Sequence, residues 1–191
     1  MDPQLQPIGE ERQGYVNPME ARSCYPMAKR AIENLCHDYA VEHGVPTRVA
    51  RLTQTFGAGV SPDDNRVFAQ FARSILRGED IVLHTTGESA KPYCYTTDCV
   101  AALLQIALFG ANGEAYNVAH PETYISIRDM AEVLCQNFNR AVKVRVELHP
   151  EMGYAPVTRL PLSVERLIAL GWTPRVGLVE MFRRLMEAMK E

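Results

Sequence analysis

SCYPMAKRAIENL, residues 23–35, sets a tyrosine four positions ahead of a lysine within a run whose apolar residues recur at helical spacing. Ala28, Ile32, Leu35, Cys36 and Tyr39 fall three or four apart, so the spacing predicts a helix from about Cys24 to His43, stopped by HGVP. On such a helix Tyr25 and Lys29 share a face and can point at one bound molecule. That geometry suits an acid–base pair. A phenol ordinarily ionises near pH 10, and bringing that to about 7 takes roughly 4 kcal/mol. An ammonium about 4 Å away supplies roughly that much at an effective dielectric near 20, but only about 1 kcal/mol in open water. The pair therefore works only inside a closed, largely dry site. With eight tyrosines in the chain, the same spacing also arises as a plain half-exposed helix pair, so the surrounding sequence has to decide.

Before this helix, prolines, Gly9, Gly14 and VNP interrupt any apolar period, and the first 20 or so residues read as a loop. After it, TRVARLTQ (47–54) reads as a buried strand, and TFGAGVSPDDN leads to a helix over about Arg66 to Arg77 with Val67, Phe71, Ile75 and Leu76 inward. A short strand DIVLH follows. TTGESAKPYCYTTD reads as a loop, a helix runs from near Asp98 to Phe109, and EAYNVAH supplies a strand beyond the Asn112-Gly113 turn. Ser126 with Asp129 resembles a capping box for the helix SIRDMAEVLCQNF. The tail adds a strand VKVRVEL, a short helix before LGWTP and an amphipathic terminal helix. This alternation predicts an α/β architecture without repeats or linkers.

A length of 191 residues with 47% hydrophobic content suffices for a sizeable core. No apolar run reaches the roughly 18 residues of a membrane span, and the start lacks the basic and apolar segments of a signal peptide, so a cytoplasmic protein is expected. A net charge of -3 with scattered cations argues against nucleic acid as a partner. Five cysteines without a C-x-x-C pair fit reduced packing residues, and the five histidines form no H-x-x-x-H pair, so no metal site is expected. Neither G-x-G-x-x-G nor G-x-x-x-x-G-K-[ST] opens a first strand–helix unit, as self-contained nucleotide-binding domains usually require.

The letters around the tyrosine and lysine decide the matter. NPMEARSCYPMAKRAIENL (17–35) resembles the active-site helix of the extended short-chain dehydrogenase/reductases, the NAD-dependent nucleotide-sugar epimerases, dehydratases and decarboxylases. The likeness continues in order. RVARLTQTFGAG is similar to that family's R-x-x-N-x-[YF]-G-P segment, DDNRVFAQFARSILRGEDIVLH to its substrate-domain helix, and TTGESAKPYCYTTDCVAALL to its glycine-to-tyrosine-aspartate loop. GEAYNVA and TRLPLSVERLIALGWTP resemble its late strand and closing leucine-glycine-tryptophan segment. The run RSCY leans toward the UDP-glucuronate decarboxylase and dTDP-glucose dehydratase branches.

The resemblance implies roles. Tyr25 acts as base toward a sugar hydroxyl while NAD takes hydride from the same carbon, and Lys29 tunes the tyrosine and holds the nicotinamide ribose. Thr55 and Arg66 become cofactor contacts, and Arg22, Ser23, Gln54, Phe68, Lys91 and Arg159 substrate contacts. Three of them have a plainer reading: Arg22 and Arg66 as solvated surface residues, Phe68 as core. The pattern also departs from the family. Gln54 stands for an asparagine, Lys91 for an arginine whose fork would clamp a diphosphate, and Leu162 for an aspartate after Arg159.

DPQLQPIGEE resembles the segment just after the family's earlier strands, so the expectation is the C-terminal part of a Rossmann-type extended fold with the dinucleotide-binding half absent. Residues 1–60 would be the Rossmann remnant and 61–191 mostly the nucleotide-sugar domain, with a strand near 115–119 returning to the first sheet. Two functions are open: a nucleotide-sugar enzyme portion inactive alone, or a non-catalytic module that binds a nucleotide-diphosphate sugar or pairs with another chain. Apolar faces of TRVARLTQ and the tyrosine helix should be bare or covered by a partner, so a homodimer or other self-association is expected.

Overall fold

The computed structural model describes residues 6–61 and 63–190. Helix α1 spans Cys24–His43, with Pro26 in its first turn, where a missing N–H costs nothing. Gly44 ends it in the left-handed region at φ 65°, donating its N–H to Tyr39 O. Strand β1 (Val49–Leu52) follows, then β2 (Gln54–Phe56), α2 (Val67–Arg77), β3 (Ile81–Leu83), β4 (Ala90–Tyr95), α3 (Thr96–Phe109), β5 (Ala115–Val118) and β6 (His120–Ser126). Helix α4 (Ile127–Phe138), β7 (Val144–Val146), a 3-10 turn at Pro150–Met152, α5 (Glu165–Ala169) and α6 (Leu178–Ala188) complete the order. Ser126 caps α4, its Oγ accepting Asp129 N–H at 3.0 Å.

The strands form three small sheets: parallel β1–β5, mixed β2–β4–β6 and parallel β3–β7. TRVARLTQ, expected as one strand, divides between two of them. Thr53 marks the break: its N–H donates to Val118 O at 3.0 Å on the first sheet, and its hydroxyl donates to Pro92 O at 2.6 Å on the second. EAYNVAH divides likewise at Ala119, because β5 pairs with β1 and β6 with β4. Two neighbouring strands thus leave one sheet together and enter the next on opposite sides of β4.

Strands β4 and β6 were not foreseen, because Pro92 and Pro121 punctuate them. β4 is nonetheless central, parallel to β2 and antiparallel to β6. The ladder accommodates Pro92 through an irregularity between Lys91 and Tyr93, where Tyr93 N–H donates instead to Thr123 Oγ1 at 2.7 Å. The opening segment, expected as loop, is also engaged: Ile8 bridges to Leu162, and the Glu10 side chain is buried.

Two apolar clusters form. In the first, Phe56 stacks on Phe68 at 4.3 Å and meets Phe182 at 5.0 Å, so α2, α4 and α6 cover the mixed sheet. In the second, Ala102 and Ile106 of α3 and Leu167 of α5 close over Tyr116 and Val118, with Trp172 beside them. Each such large side chain contributes about 1.5–3 kcal/mol by leaving water. Helix α1 differs: none of its 20 residues is fully buried, and Ile32, Leu35, Tyr39 and Val41 are exposed. Among the described residues, no helix is long and apolar enough to cross a membrane.

Phe56→Ala should therefore cost about 3–5 kcal/mol, whereas Leu35→Ala on α1 should stay within about 0.5 kcal/mol. Urea denaturation of the two variants checks this contrast, and equal losses would contradict it.

Candidate active site

Tyr25 and Lys29 lie one turn apart on α1, with the Lys29 ammonium 5.5 Å from the centre of the Tyr25 ring. Both are exposed, Tyr25 at 68%. The helix spacing permits this approach, which brings a phenol hydroxyl and a cation to one patch. Just ahead of them Ser23 is buried, its hydroxyl donating to Asn17 O, so it braces the turn that opens α1. Arg22 points outward and donates to Gly153 O at 3.2 Å, linking that turn to the loop after the 3-10 turn.

Gln54 and Thr55 stand immediately after the sheet switch at Thr53. The Thr55 hydroxyl donates to Thr53 O at 3.2 Å, and Gln54 Oε1 lies 3.5 Å from the Lys91 ammonium across the β2–β4 pair. Lys91 is partly buried, and that burial lowers its pKa below the usual lysine value. Cys94 pairs with Thr55 in register, but burial pushes its thiol up to about 12, with Cys99 and Asp98 adding to the effect, so it is no thiolate nucleophile.

The remaining candidates are spoken for within the chain. Arg66 grips Asp64, with Nε 2.9 Å from Oδ2, and its guanidinium sits 4.8 Å over the Phe68 ring. That hydrogen bond holds the Asp64 carboxyl below its usual range. Phe68 itself is 1% exposed and belongs to the core. Arg159 contacts Glu88 at 3.3 Å and lines a cavity of about 890 Å³, together with Thr86, Gly87, Tyr124, Ser126 and Arg128. Tyr25, Lys29, Gln54 and Lys91 do not line it. The structure thus joins Tyr25 to Lys29 and Gln54 to Lys91, and sets Arg159 at a separate cavity.

Sequence reading missed the contacts that seat α1. Arg51 of β1 takes the Glu33 carboxylate with both Nε (2.9 Å) and Nη2 (2.7 Å), and its Nη1 donates to Glu10 O at 2.8 Å. Glu10 Oε1 in turn accepts Asn117 N–H at 2.7 Å on β5. A faint signal existed for the first pair alone, since Glu33 follows Lys29 by four and Arg51 sits in the neighbouring strand. For Glu10, in a stretch without periodicity, there was none. Among the described residues, no cluster of three or more histidine, cysteine or acidic side chains could hold a metal ion.

A family model described as the NAD dependent epimerase/dehydratase family matches residues 2–119. UDP-glucuronic acid decarboxylase 5 of Arabidopsis thaliana is 33% identical over 180 residues, covering 94% of this chain and 51% of the relative. UDP-glucuronic acid decarboxylase 1 of Danio rerio is 32% identical, with 94% and 42% covered. The chain therefore spans about half the length of the curated relatives it matches. In fold it is similar to RMD from Pseudomonas aeruginosa, solved with NADPH, at a TM-score of 0.78 and 23% identity over 96% of this chain and 60% of that one. It is likewise similar to dTDP-glucose 4,6-dehydratase from Bacillus anthracis, solved with NAD, at 0.78 and 16% over 98% and 57%. These likenesses establish an extended Rossmann-type fold for the part the chain covers.

Lys91 carries a testable pH signature. Because its folded-state pKa lies below the unfolded value near 10.5, the unfolded chain holds the proton more tightly. The resulting penalty is fully present below the depressed pKa and fades as pH rises toward about 10.5. Lys91→Met should accordingly be more stable than the parent at pH 7, and chemical denaturation at several pH values should show that advantage shrinking in alkali. A constant difference would refute the burial cost.

Proposed function

The chain belongs to the NAD dependent epimerase/dehydratase family, and from that premise we propose that it carries the acid–base pair of an NAD-dependent nucleotide-sugar epimerase, dehydratase or decarboxylase. The observation that carries this reading is the Lys29 ammonium set 5.5 Å over the Tyr25 ring on one open helix face. The decarboxylase relatives favour UDP-glucuronate as the first substrate to try.

The donor set fits one end of the cofactor. A phenol and an ammonium side by side, both reachable from solvent, suit the hydroxyls of a nicotinamide ribose. The sequence holds no glycine-rich strand-to-helix turn to cradle a pyrophosphate, so the fit is confined to that end. When bound, NAD supplies a hydride acceptor for the sugar carbon whose hydroxyl is deprotonated, and returns the hydride at the end of the cycle. Tyr25 takes the hydroxyl proton at its Oη, and Lys29 stabilises the phenolate and orients the ribose. The ketone so formed acidifies the neighbouring C–H or labilises a neighbouring carboxylate, from which epimerisation, elimination or decarboxylation follows. Lys91, with Gln54, meets a phosphate of the nucleotide, and Arg159 with its cavity takes another part of it. Residues 1–60 then contribute chemistry and most of 61–191 the sugar nucleotide.

Exposure favours a second reading for the chain alone. At the dielectric of open water an ammonium 4 Å from a phenolate contributes about 1 kcal/mol, against about 4 kcal/mol in a partly desolvated site. With Tyr25 68% exposed, the isolated chain is expected to bind a nucleotide sugar without turning it over. The uncovered apolar residues of α1 also support self-association.

Three measurements test this. UDP-glucuronate or a dTDP-sugar at a hundredfold excess over Kd should stabilise the chain by about 2.7 kcal/mol in thermal denaturation, while NAD alone should not. Any NAD-dependent sugar turnover, followed by chromatography of the nucleotide sugar, should fall about 10²–10⁴-fold in Tyr25→Phe. Light scattering should give more than the monomer mass. Absence of nucleotide stabilisation, or turnover indifferent to Tyr25→Phe, would overturn the proposal.

A further inference from the structure

Tyr25, Lys29 and Glu33 follow one another at four-residue spacing along α1, so Lys29 has an aromatic ring one turn before it and a carboxylate one turn after it. A lysine so placed has two competing partners. Left to itself, the ammonium is drawn to the carboxylate, a full charge, in preference to the quadrupole of a ring. Yet it sits over Tyr25. The Glu33 carboxylate is already occupied: Arg51 holds Oε1 and Oε2 with Nε at 2.9 and 3.1 Å, and Oε2 again with Nη2 at 2.7 Å. Arg51 is itself fixed, because its Nη1 donates to Glu10 O and its backbone lies in the β1–β5 ladder opposite Asn117. Both side chains of the ion pair are about three-quarters shielded from solvent, whereas Lys29 is exposed. A planar guanidinium fork on a rigid strand therefore outcompetes a flexible lysine for the same acid.

We infer that Arg51 is a positioning residue: by sequestering Glu33 it leaves the Lys29 ammonium free to stand over Tyr25. The catalytic meaning of this device rests on the Tyr25–Lys29 pairing proposed above, but the device itself is a matter of which partner Lys29 chooses. It makes an unusual demand. Arg51→Met and Glu33→Gln break the same ion pair, yet only the first releases a carboxylate to capture Lys29. A contact that merely anchored α1 would respond alike to both.

The test uses the full chain, whose lysines are few: Lys29, Lys91, Lys143 and Lys190. Reductive methylation with ¹³C-formaldehyde labels each while keeping its charge, and Lys29→Arg assigns the signal. A Lys29 methyl resonance over an aromatic ring is displaced upfield relative to its position in Tyr25→Leu. Arg51→Met should abolish that displacement, Glu33→Gln should retain it, and the double variant Arg51→Met/Glu33→Gln should restore it. Displacement persisting in Arg51→Met, or lost in Glu33→Gln, or not regained in the double variant, overturns the inference. If Arg51→Met does not fold, the single Glu33→Gln result still decides, because loss there shows an anchoring role. A parent signal identical to that of Tyr25→Leu would instead remove the Tyr25–Lys29 pairing, and with it the proposed function as well as this inference.

Discussion

The buried carboxylate of Asp98 holds the two halves of the fold in register. Only 6% exposed at the start of α3, it accepts the N–H groups of Arg175 at 2.8 Å and Val176 at 2.9 Å, while its own carbonyl accepts Trp172 Nε1 at 3.0 Å. Trp172 belongs to the cluster around α3 and α5, and Val176 to the cluster around α2, α4 and α6. One residue thus fixes the strand of chain that passes between the cores. A carboxylate satisfied by backbone donors can be buried where an unpaired one could not. Without it, the two apolar clusters would each persist, but their mutual placement would rest on packing and on the Thr53 hydrogen bonds to both sheets.

Much of this was legible in advance, and the reasons are local. The helices from Cys24, Val67, Thr96, Ile127 and Leu178 announced themselves because one face of each had to alternate at 3.6 residues, or because a cap such as Ser126 marked the start. Strands β1 and β5 read correctly as apolar runs, but their continuations did not. Nothing in VARLTQTF says that Thr53 turns from one sheet to another, since both partners lie far along the chain. Pro92 in a central strand reads as a breaker, and only a side-chain hydroxyl 30 residues beyond Tyr93, that of Thr123, makes it tolerable.

The site divides the same way. Tyr25 and Lys29 were readable because helix geometry sets them one turn apart on one face. Gln54 and Lys91 were readable only through resemblance, and their contact depends on a strand pairing the sequence did not disclose. Phe68 shows the opposite case, an aromatic whose periodicity already allowed a core role and which lies stacked against Phe56. The Arg51–Glu33 pair left only a faint trace and Glu10 none, because a salt bridge between a helix and a strand leaves no periodic pattern.

The parallel pairing of Val49 with Ala115 has a kinetic meaning. Its ends are separated by more of the chain than any pairing within β4–β6 or between β3 and its flanking helices, and closing so long a loop precedes any reward from the ladder. The β1–β5 sheet is therefore expected to assemble late, after the local units have collapsed. Since Arg51 lies in that sheet, seating of the helix bearing Tyr25 waits on this long closure, an order that native-state amide exchange along β1 and β4 would read directly.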